Sequence, residues 1–257
     1  MEITFYKYQG TGNDFVIIDN RSLFFPKYNT ELVLQMCDRK FGIGADGLIL
    51  LENHQVNDFK MVYYNSDGKT SSMCGNGGRC IVHFAKFLNI ISNRTTFEAI
   101  DGLHDATITE DWVSLKMNDV ERVDVSEKFT FLNTGSPHHV QMVHNLLEYN
   151  VFSEGKRIRN SYGSEGSNVN FVEQEGSDLF VVRTYERGVE NETLSCGTGV
   201  TAVAIAMFEN GYTSENKISV KTPGGNLKVN FDKSENGYRN IFLEGPAKQV
   251  FKGVWKI

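Results

Sequence analysis

Apolar and polar residues alternate along much of the first half of the chain. Ile3 to Tyr8, Phe15 to Asp19, Leu48 to Leu51, Phe59 to Tyr64, Thr95 to Ala99 and Trp112 to Met117 read as strands. Only three stretches read as helix. Thr30 to Asp38 sets Leu32, Val33, Met36 and Cys37 at helical spacing, with Asn29 or Thr30 as its cap. The other two begin just after Cys74 and Cys196. Ile81 to Leu88 continues the first, and Val200 to Phe208, closing at Asn210-Gly211, is apolar nearly all round, as a buried helix is.

Those two regions repeat one another. In the first, strand Lys60 to Tyr64 leads through Asn65-Ser66-Asp67-Gly68 to Cys74-Gly75-Asn76-Gly77-Gly78, a helix, strand Thr95 to Ala99, the turn Asp101-Gly102 and another strand. In the second, strand Leu179 to Tyr185 leads through Glu186-Arg187-Gly188 to Cys196-Gly197-Thr198-Gly199, a helix, strand Ile218 to Lys221, the turn Gly224-Gly225 and strand Leu227 to Phe231. The duplication predicts an α+β chain of two similar halves, residues 1–117 with Cys74 and 118–257 with Cys196. Each half wraps many strands around one long helix, and the last strand is free to pack back on the first half.

Composition narrows the function. The 257 residues carry 26 basic and 32 acidic side chains, a net charge of -6, which argues against an electrostatic nucleic-acid binder. No run approaches the roughly 20 apolar residues that span a bilayer, and the start, with Ile3 and Phe5 between polar residues, is unlike a secretory signal. The expectation is a soluble cytoplasmic protein with neither membrane nor nucleic acid as partner. On that view the three Asn-x-Ser/Thr matches at Asn20, Asn93 and Asn191 are chance. Four cysteines, Cys37, Cys74, Cys80 and Cys196, are too few for a disulfide scaffold in a chain of this length.

Cys74 and Cys196 each precede a glycine where a loop enters a helix. Free amides and the helix dipole favour an anion there, so a thiol at that place becomes acidic. Glycines 75, 77, 78, 197 and 199 leave backbone N–H groups bare for a carboxylate. A lone cysteine is more often a small buried hydrophobe, but a duplicated Cys-Gly helix start is not a lone cysteine. If the halves face each other, one sulfur removes a proton from a carbon acid while the other returns one to the opposite face, inverting the centre without redox chemistry. The helix starts would bind the substrate carboxylate and the charge developing on it. Cys37 and Cys80 read as packing residues, and the absence of Cys-x-x-Cys argues against zinc and thioredoxin-like chemistry.

Other motifs are weaker. Gly42-Ile43-Gly44-Ala45-Asp46-Gly47 matches a dinucleotide fingerprint, but a helix precedes it and a strand follows, the reverse of the required order. It reads as a helix-to-strand loop. Gly10-Thr11-Gly12-Asn13-Asp14 reads as a turn that is placed to offer the Asn13 amide to a ligand. Glu186 and Arg187 suit a zwitterion, carboxylate to ammonium and guanidinium to carboxylate, although a surface pair at a strand end is equally in keeping. His138 follows a turn and has the chemistry to orient or relay a proton; alone it is more often structural.

At these residues the sequence resembles the diaminopimelate epimerase family nearly end to end. The likeness is carried by Gly10-Thr11-Gly12-Asn13-Asp14-Phe15, Gly42-Ile43-Gly44-Ala45-Asp46, Tyr64-Asn65-Ser66-Asp67-Gly68 and Cys74-Gly75-Asn76-Gly77-Gly78-Arg79-Cys80. It continues through Gly135-Ser136-Pro137-His138, Asn168-Val169-Asn170-Phe171, Tyr185-Glu186-Arg187-Gly188 and Cys196-Gly197-Thr198-Gly199. The resemblance implies two pseudo-symmetric α/β halves, each a strongly curved mixed sheet around a central helix. It also implies epimerisation of LL- to meso-diaminopimelate, in lysine and peptidoglycan precursor synthesis, with no pyridoxal phosphate and no metal.

By the same resemblance Cys74 is the proton donor and Cys196 the acceptor, assisted by His138 and Glu186. Gly75, Asn76, Gly197 and Thr198 would hold the carboxylate at the reacting carbon, and Asn13, Asn65, Asn168, Glu186 and Arg187 the amino groups and the distal L-centre. Some members carry glutamine where Gly47 stands and asparagine where Ser136 stands, so those amide contacts are not assigned here. A homodimer is also implied, with Phe251 where some members have a tyrosine that supports the interface. Two further readings remain: a proline- or hydroxyproline-type two-thiol racemase, separable by substrate competition, and a thiol redox sensor, separable by a partner bound only in the oxidised form.

Overall fold

The computed structural model describes residues 2–71 and 73–257 and divides into two compact units, Met1–Leu115 with Pro246–Ile257, and Lys116–Gly245. In the first unit β1 (Glu2–Gly10) turns through Thr11 and Gly12, both with positive φ (49° and 85°), into β2 (Asn13–Asp19). Such a turn matches the twist of an antiparallel hairpin. Helix α1 (Thr30–Cys37) is capped by Asn29, whose side chain accepts from the Leu32 N–H at 3.0 Å, and leads to β3 (Gly47–Glu52) and β4 (Phe59–Asn65). Then come α2 (Gly75–Phe87), β5 (Arg94–Ala99), β6 (Gly102–Thr109) and β7 (Trp112–Lys116).

The second unit contains β8 (Val123–Val125), β9 (Thr130–Asn133), β10 (Pro137–Met142), α3 (Val151–Ser161), β11 (Asn168–Gln174), β12 (Leu179–Glu186) and the short β13 (Asn191–Thr193). It closes with α4 (Gly197–Glu209), β14 (Lys217–Thr222), β15 (Gly225–Ser234) and β16 (Gly237–Pro246). The last strand, β17 (Lys248–Lys256), pairs antiparallel with β1 and so belongs to the first unit.

Strand order repeats between the units. The first runs β17–β1–β2–β3–β4–β5–β6–β7, with β2/β3 and β4/β5 parallel and the other named pairs antiparallel. The second runs β8–β9–β10–β11–β12–β14–β15–β16, with β10/β11 and β12/β14 parallel. Each parallel pair needs a crossover, and α1, α2, α3 and α4 supply them. β3 is buried along its whole length because Leu48 and Leu50 pack toward α1, while Ile49 lies against Gly77 of α2. A strand covered on both faces reads as one continuous apolar run, which is what Leu48 to Leu51 is.

The central helices are enclosed by their sheets. α4 packs against β9, β10, β11, β12, β14 and β15, which is why Ala202 through Ala206 have no exposed surface. α2 packs in the same way against β1, β2, β3, β6 and β17. The α+β class and the wrapping of each sheet around a helix follow the sequence reading. Among the described residues no helix is long and apolar enough to cross a membrane. The segment from Gly42 joins α1 to β3, helix before strand, so the dinucleotide order is absent.

The three helices of the sequence reading omit α3, and this is a correction. Its apolar stripe is thin, with Val151, Gly155 and Ile158 as its buried residues among Ser, Glu, Lys, Arg and Asn. Gly155 lowers helix propensity, yet it is required here: a Cβ at that position would stand 2.3 Å from Cβ of Tyr185. Tertiary contact with β12 sustains a helix that propensity alone would not. The legible signal was Asn150, whose side chain caps the Ser153 N–H at 3.1 Å.

Candidate active site

In the first unit Cys74 is the N-cap residue of α2, its backbone extended (φ −86°, ψ 129°) and its carbonyl accepting the first helical bond from Gly78 at 2.7 Å. The Cys74 thiol itself makes no cap bond to the first turn of the helix. The Sγ–H of Cys74 instead donates to Asn13 Oδ1 at 3.4 Å. That same oxygen accepts from Asn76 Nδ2 at 3.2 Å, and Asn13 Nδ2 donates to Asp46 Oδ2 at 2.6 Å.

Charges terminate this amide chain at both ends. Asp46 and Asp14 share the Arg39 guanidinium at 2.6 Å each, and Lys7 reaches Asp14 at 2.6 Å. Burial alone would raise the Asp14 carboxyl, but the hydrogen bonds and charges of Arg39 and Lys7 outweigh it and hold it at about 2. At the other end lies Arg79, fully buried on α2, donating to Asn76 Oδ1 at 2.9 Å, Thr11 Oγ1 at 3.2 Å and Gly75 O at 3.3 Å. Burial lowers its guanidinium to about 10, so it remains charged at neutral pH. Its Nε has no hydrogen-bond partner among the described residues.

In the second unit Cys196 is the N-cap residue of α4, extended (φ −119°, ψ 111°), with Val200 N–H bonded to its carbonyl at 2.9 Å and no side-chain cap. It is 8% exposed, and its Sγ lies 3.4 Å from Thr198 Oγ1. Thr198 Oγ1 is 2.9 Å from Nε2 of His138, and Ser136 Oγ is 3.0 Å from the same nitrogen. His138 is fully buried; burial, and next the charge of Arg187, hold its imidazole at about 3, so the ring is neutral. Asn168 Nδ2 donates to Ser136 Oγ at 3.0 Å and to the Pro137 carbonyl at 3.2 Å, while its Oδ1 accepts from the Arg187 N–H at 2.9 Å.

Of the residues singled out from the sequence, Asn13, Cys74, Gly75 and Asn76 come together in the first unit, and His138, Asn168, Arg187, Cys196, Gly197 and Thr198 in the second. Asn65 ends β4 opposite Gly47 in the ladder, exposed, and among the described residues its side chain makes no hydrogen bond. Glu186 ends β12 with its carboxylate held by Thr193 Oγ1 at 2.8 Å, and the Arg187 guanidinium donates to Glu165 O at 3.0 Å. Gly47 has no room for a glutamine: a Cβ there would stand 2.6 Å from the ring of Tyr63, which fills that space. Cys37 and Cys80 are packed in the core, and burial pushes the Cys37 thiol up to about 12 and that of Cys80 up as well. Among the described residues no three His, Cys, Asp or Glu side chains gather as a metal-binding cluster.

Sequence reasoning missed Arg79, Asp46 and Asn170. Arg79 was hidden by its type, since arginine is almost never fully buried without an acidic partner. Asn170 was legible in principle: two residues beyond Asn168 on a strand, it faces the same side of the sheet.

A family model described as diaminopimelate epimerase matches residues 5–123 and 130–250. A diaminopimelate epimerase of Flavobacterium psychrophilum is 62% identical over 250 residues, spanning 96% of this chain and 98% of that protein. One of Chlorobaculum tepidum is 41% identical, spanning 95% and 98%. Among solved structures, a Bacillus anthracis phenazine biosynthesis protein of the PhzF family superposes with a TM-score of 0.80 at 13% identity, over 100% of both chains. A hydroxyproline epimerase from Agrobacterium vitis does so with a TM-score of 0.71 at 12% identity, over 99% and 91%. At such identities the likeness to these two structures is one of fold.

Proposed function

The chain belongs to the diaminopimelate epimerase family, and we propose from this that it is an isomerase interconverting LL- and meso-diaminopimelate, without a cofactor, in the synthesis of lysine and peptidoglycan precursors. The observation that carries the mechanism is the duplicated cysteine that heads a buried helix in each unit without capping it with its own side chain. Inverting a carbon acid needs a base on one face and an acid on the other. Cys196 as thiolate takes the α-proton: the C–H bond breaks, an S–H bond forms, and the electron pair moves into the α-carboxylate. Cys74 then delivers its thiol proton to the opposite face of the carbon. Its S–H already points to an acceptor, Asn13 Oδ1, in keeping with a donor role.

Gly75, Asn76, Gly197 and Thr198 hold the α-carboxylate, whose growing negative charge meets the positive ends of α2 and α4. Asn13, Asn65, Asn168, Glu186 and Arg187 hold the amino groups and the distal amino-acid head. His138 and Glu186 tune the protonation of the thiols. The same reading carries a cytoplasmic location and a homodimer, for which β17 offers exposed Val250, Phe251 and Val254, with Phe251 braced edge-on against Phe5 at 5.9 Å.

Incubating the purified chain with LL-diaminopimelate in deuterium oxide, with reductant and no added cofactor, is expected to place deuterium at the α-carbon and to yield the meso form. Absence of both exchange and epimerisation would overturn the proposal; exchange with proline in place of diaminopimelate would redirect it to a monoacid racemase.

A further inference from the structure

The fully buried Asn170 lies on β11 behind His138, and its amide is held at three points. Nδ2 donates to the His139 carbonyl at 3.1 Å and lies 3.1 Å from Nδ1 of His138, while Oδ1 accepts from Thr184 Oγ1 at 2.9 Å. A backbone carbonyl only accepts, so the His139 carbonyl decides which way the amide faces. The nitrogen therefore donates to His138 Nδ1 as well, that atom carries a lone pair, and the ring proton sits on Nε2. Gly199 makes the arrangement possible, because a Cβ there would stand 2.5 Å from Asn170 Oδ1.

The consequence runs on to the sulfur. With its proton on Nε2, the imidazole donates to the hydroxyls around it, Thr198 at 2.9 Å and Ser136 at 3.0 Å. Ser136 Oγ also accepts from Asn168 Nδ2, and with both lone pairs so engaged its own proton points to Thr198 Oγ1, 3.3 Å off. The Thr198 proton is turned away from the ring, and Cys196 Sγ, 3.4 Å off, is placed to accept it.

Building on the two-thiol reading above, we propose that Asn170 is a positioning residue: it locks His138 in the Nε2–H tautomer and so makes the Thr198 hydroxyl a hydrogen-bond donor to Cys196, stabilising that sulfur as the thiolate. Asn170 touches no reacting atom and passes no proton. The titratable and charged groups around this chain are His139, next to His138 on β10; Arg187 beyond β12, whose charge acts on His138; and Glu186 at the end of β12, held by Thr193 of β13. Among the described residues none of these groups is bonded to His138 Nδ1, whose partner is Asn170.

Iodoacetamide alkylation of Cys196 and Cys74, followed by peptide mass spectrometry from about pH 5 to about pH 10 on the full chain, tests this by reading each thiolate separately. Asn170→Asp keeps the shape but presents an acceptor, drawing the ring proton to Nδ1. The Thr198 hydroxyl then turns to Nε2, and the Cys196 midpoint is expected to rise by about one pH unit, about a tenfold slower reaction at neutral pH. Thr198→Val, which adds no charge, is expected to shift it in the same direction, and Thr198→Ser to restore it. Because Asn170 acts through Thr198, the double variant Asn170→Asp with Thr198→Val is expected to shift less than the sum of the two.

A Cys196 midpoint that stays in place in either single variant, fully additive shifts, or an equal shift at Cys74 would each overturn the proposal. Should Asn170→Asp fail to fold, Asn170→Ala, which removes the donor to His138 Nδ1 without adding charge, takes its place, and a Cys196 midpoint that it leaves unmoved overturns the proposal. Epimerase activity is not the readout: a chain that shows the alkylation shifts but does not epimerise refutes the functional reading and leaves the hydrogen-bond chain standing.

Discussion

The two units repeat a backbone and differ in the chemistry around their thiols. In both, a hairpin tip lies beside the N-cap cysteine of the central helix, formed by Thr11-Gly12-Asn13 in one and Thr134-Gly135-Ser136 in the other. Around Cys74 the network is amide-based and ends in charges, Arg79 on one side and Asp46 on the other. Around Cys196 it is a neutral chain of imidazole and hydroxyls. Where α2 buries the Arg79 guanidinium, five residues after its cysteine, α4 buries Thr201, which bonds back to Gly197 O at 3.0 Å. Duplication preserves strand order because order is enforced by the crossover helices. It leaves polar neighbours free to diverge, and a reaction that needs an acid and a base profits from two unequal thiols.

The largest expected effect tests whether both units are needed. Cys74→Ala and Cys196→Ala should each reduce epimerisation by about a hundredfold to ten-thousandfold, the range a positioned acid or base supplies, with circular dichroism unchanged. Substantial turnover by either variant would end the two-thiol account.

A second pair of variants compares matched glycines three residues past each cysteine. Gly199→Ala pushes into Asn170 Oδ1 at 2.5 Å, a bonded amide that cannot give, and should cost about 1–3 kcal/mol in urea unfolding. Gly77→Ala meets the flexible tips of Ile49 and Met61 at 3.2 and 3.5 Å, and the better helix propensity of alanine offsets part of the strain, so its cost should stay under about 1 kcal/mol. Equal costs would mean that the two helix starts are equally tight.

Acid should separate the units more gently. His138 titrates at about 3 when folded, against 6.5 as a free side chain, so the unfolded chain takes up its proton first as pH falls. Its contribution is complete above 6.5 and is lost toward 3, at no more than about 1.4 kcal/mol per pH unit. Asp14 is held at about 2 against 3.8, so its contribution is lost only as pH falls from 3.8 toward 2. Hydrogen exchange is expected to show the second unit loosening at milder acidity than the hairpin of the first. Simultaneous loosening of both would contradict this.

Much of the fold was legible because strand alternation and the apolar α4 are local patterns. The central helices, the strands of the first half, β12, β14, β15 and the duplicated Cys-Gly starts could be read from residue order, whereas β8, β9, β10, β11, β13 and β16 were not among the strands read. α3 was not, because its helicity depends on Tyr185 of β12, distant in sequence and adjacent in space. Within the site the sequence supplied the cysteines, Asn13, Asn168 and His138, but the roles of Arg79 and Asn170 arise from burial and from the direction of hydrogen bonds.

By itself the sequence determined where the two central helices begin, which residues head them and that the pattern occurs twice, since each depends on neighbours a few positions apart. Only the tertiary structure decided which way each buried amide points and which nitrogen of His138 carries the proton. Those choices are imposed by backbone carbonyls and charges that folding brings within 3 Å or so of one another, and no spacing along the chain encodes them.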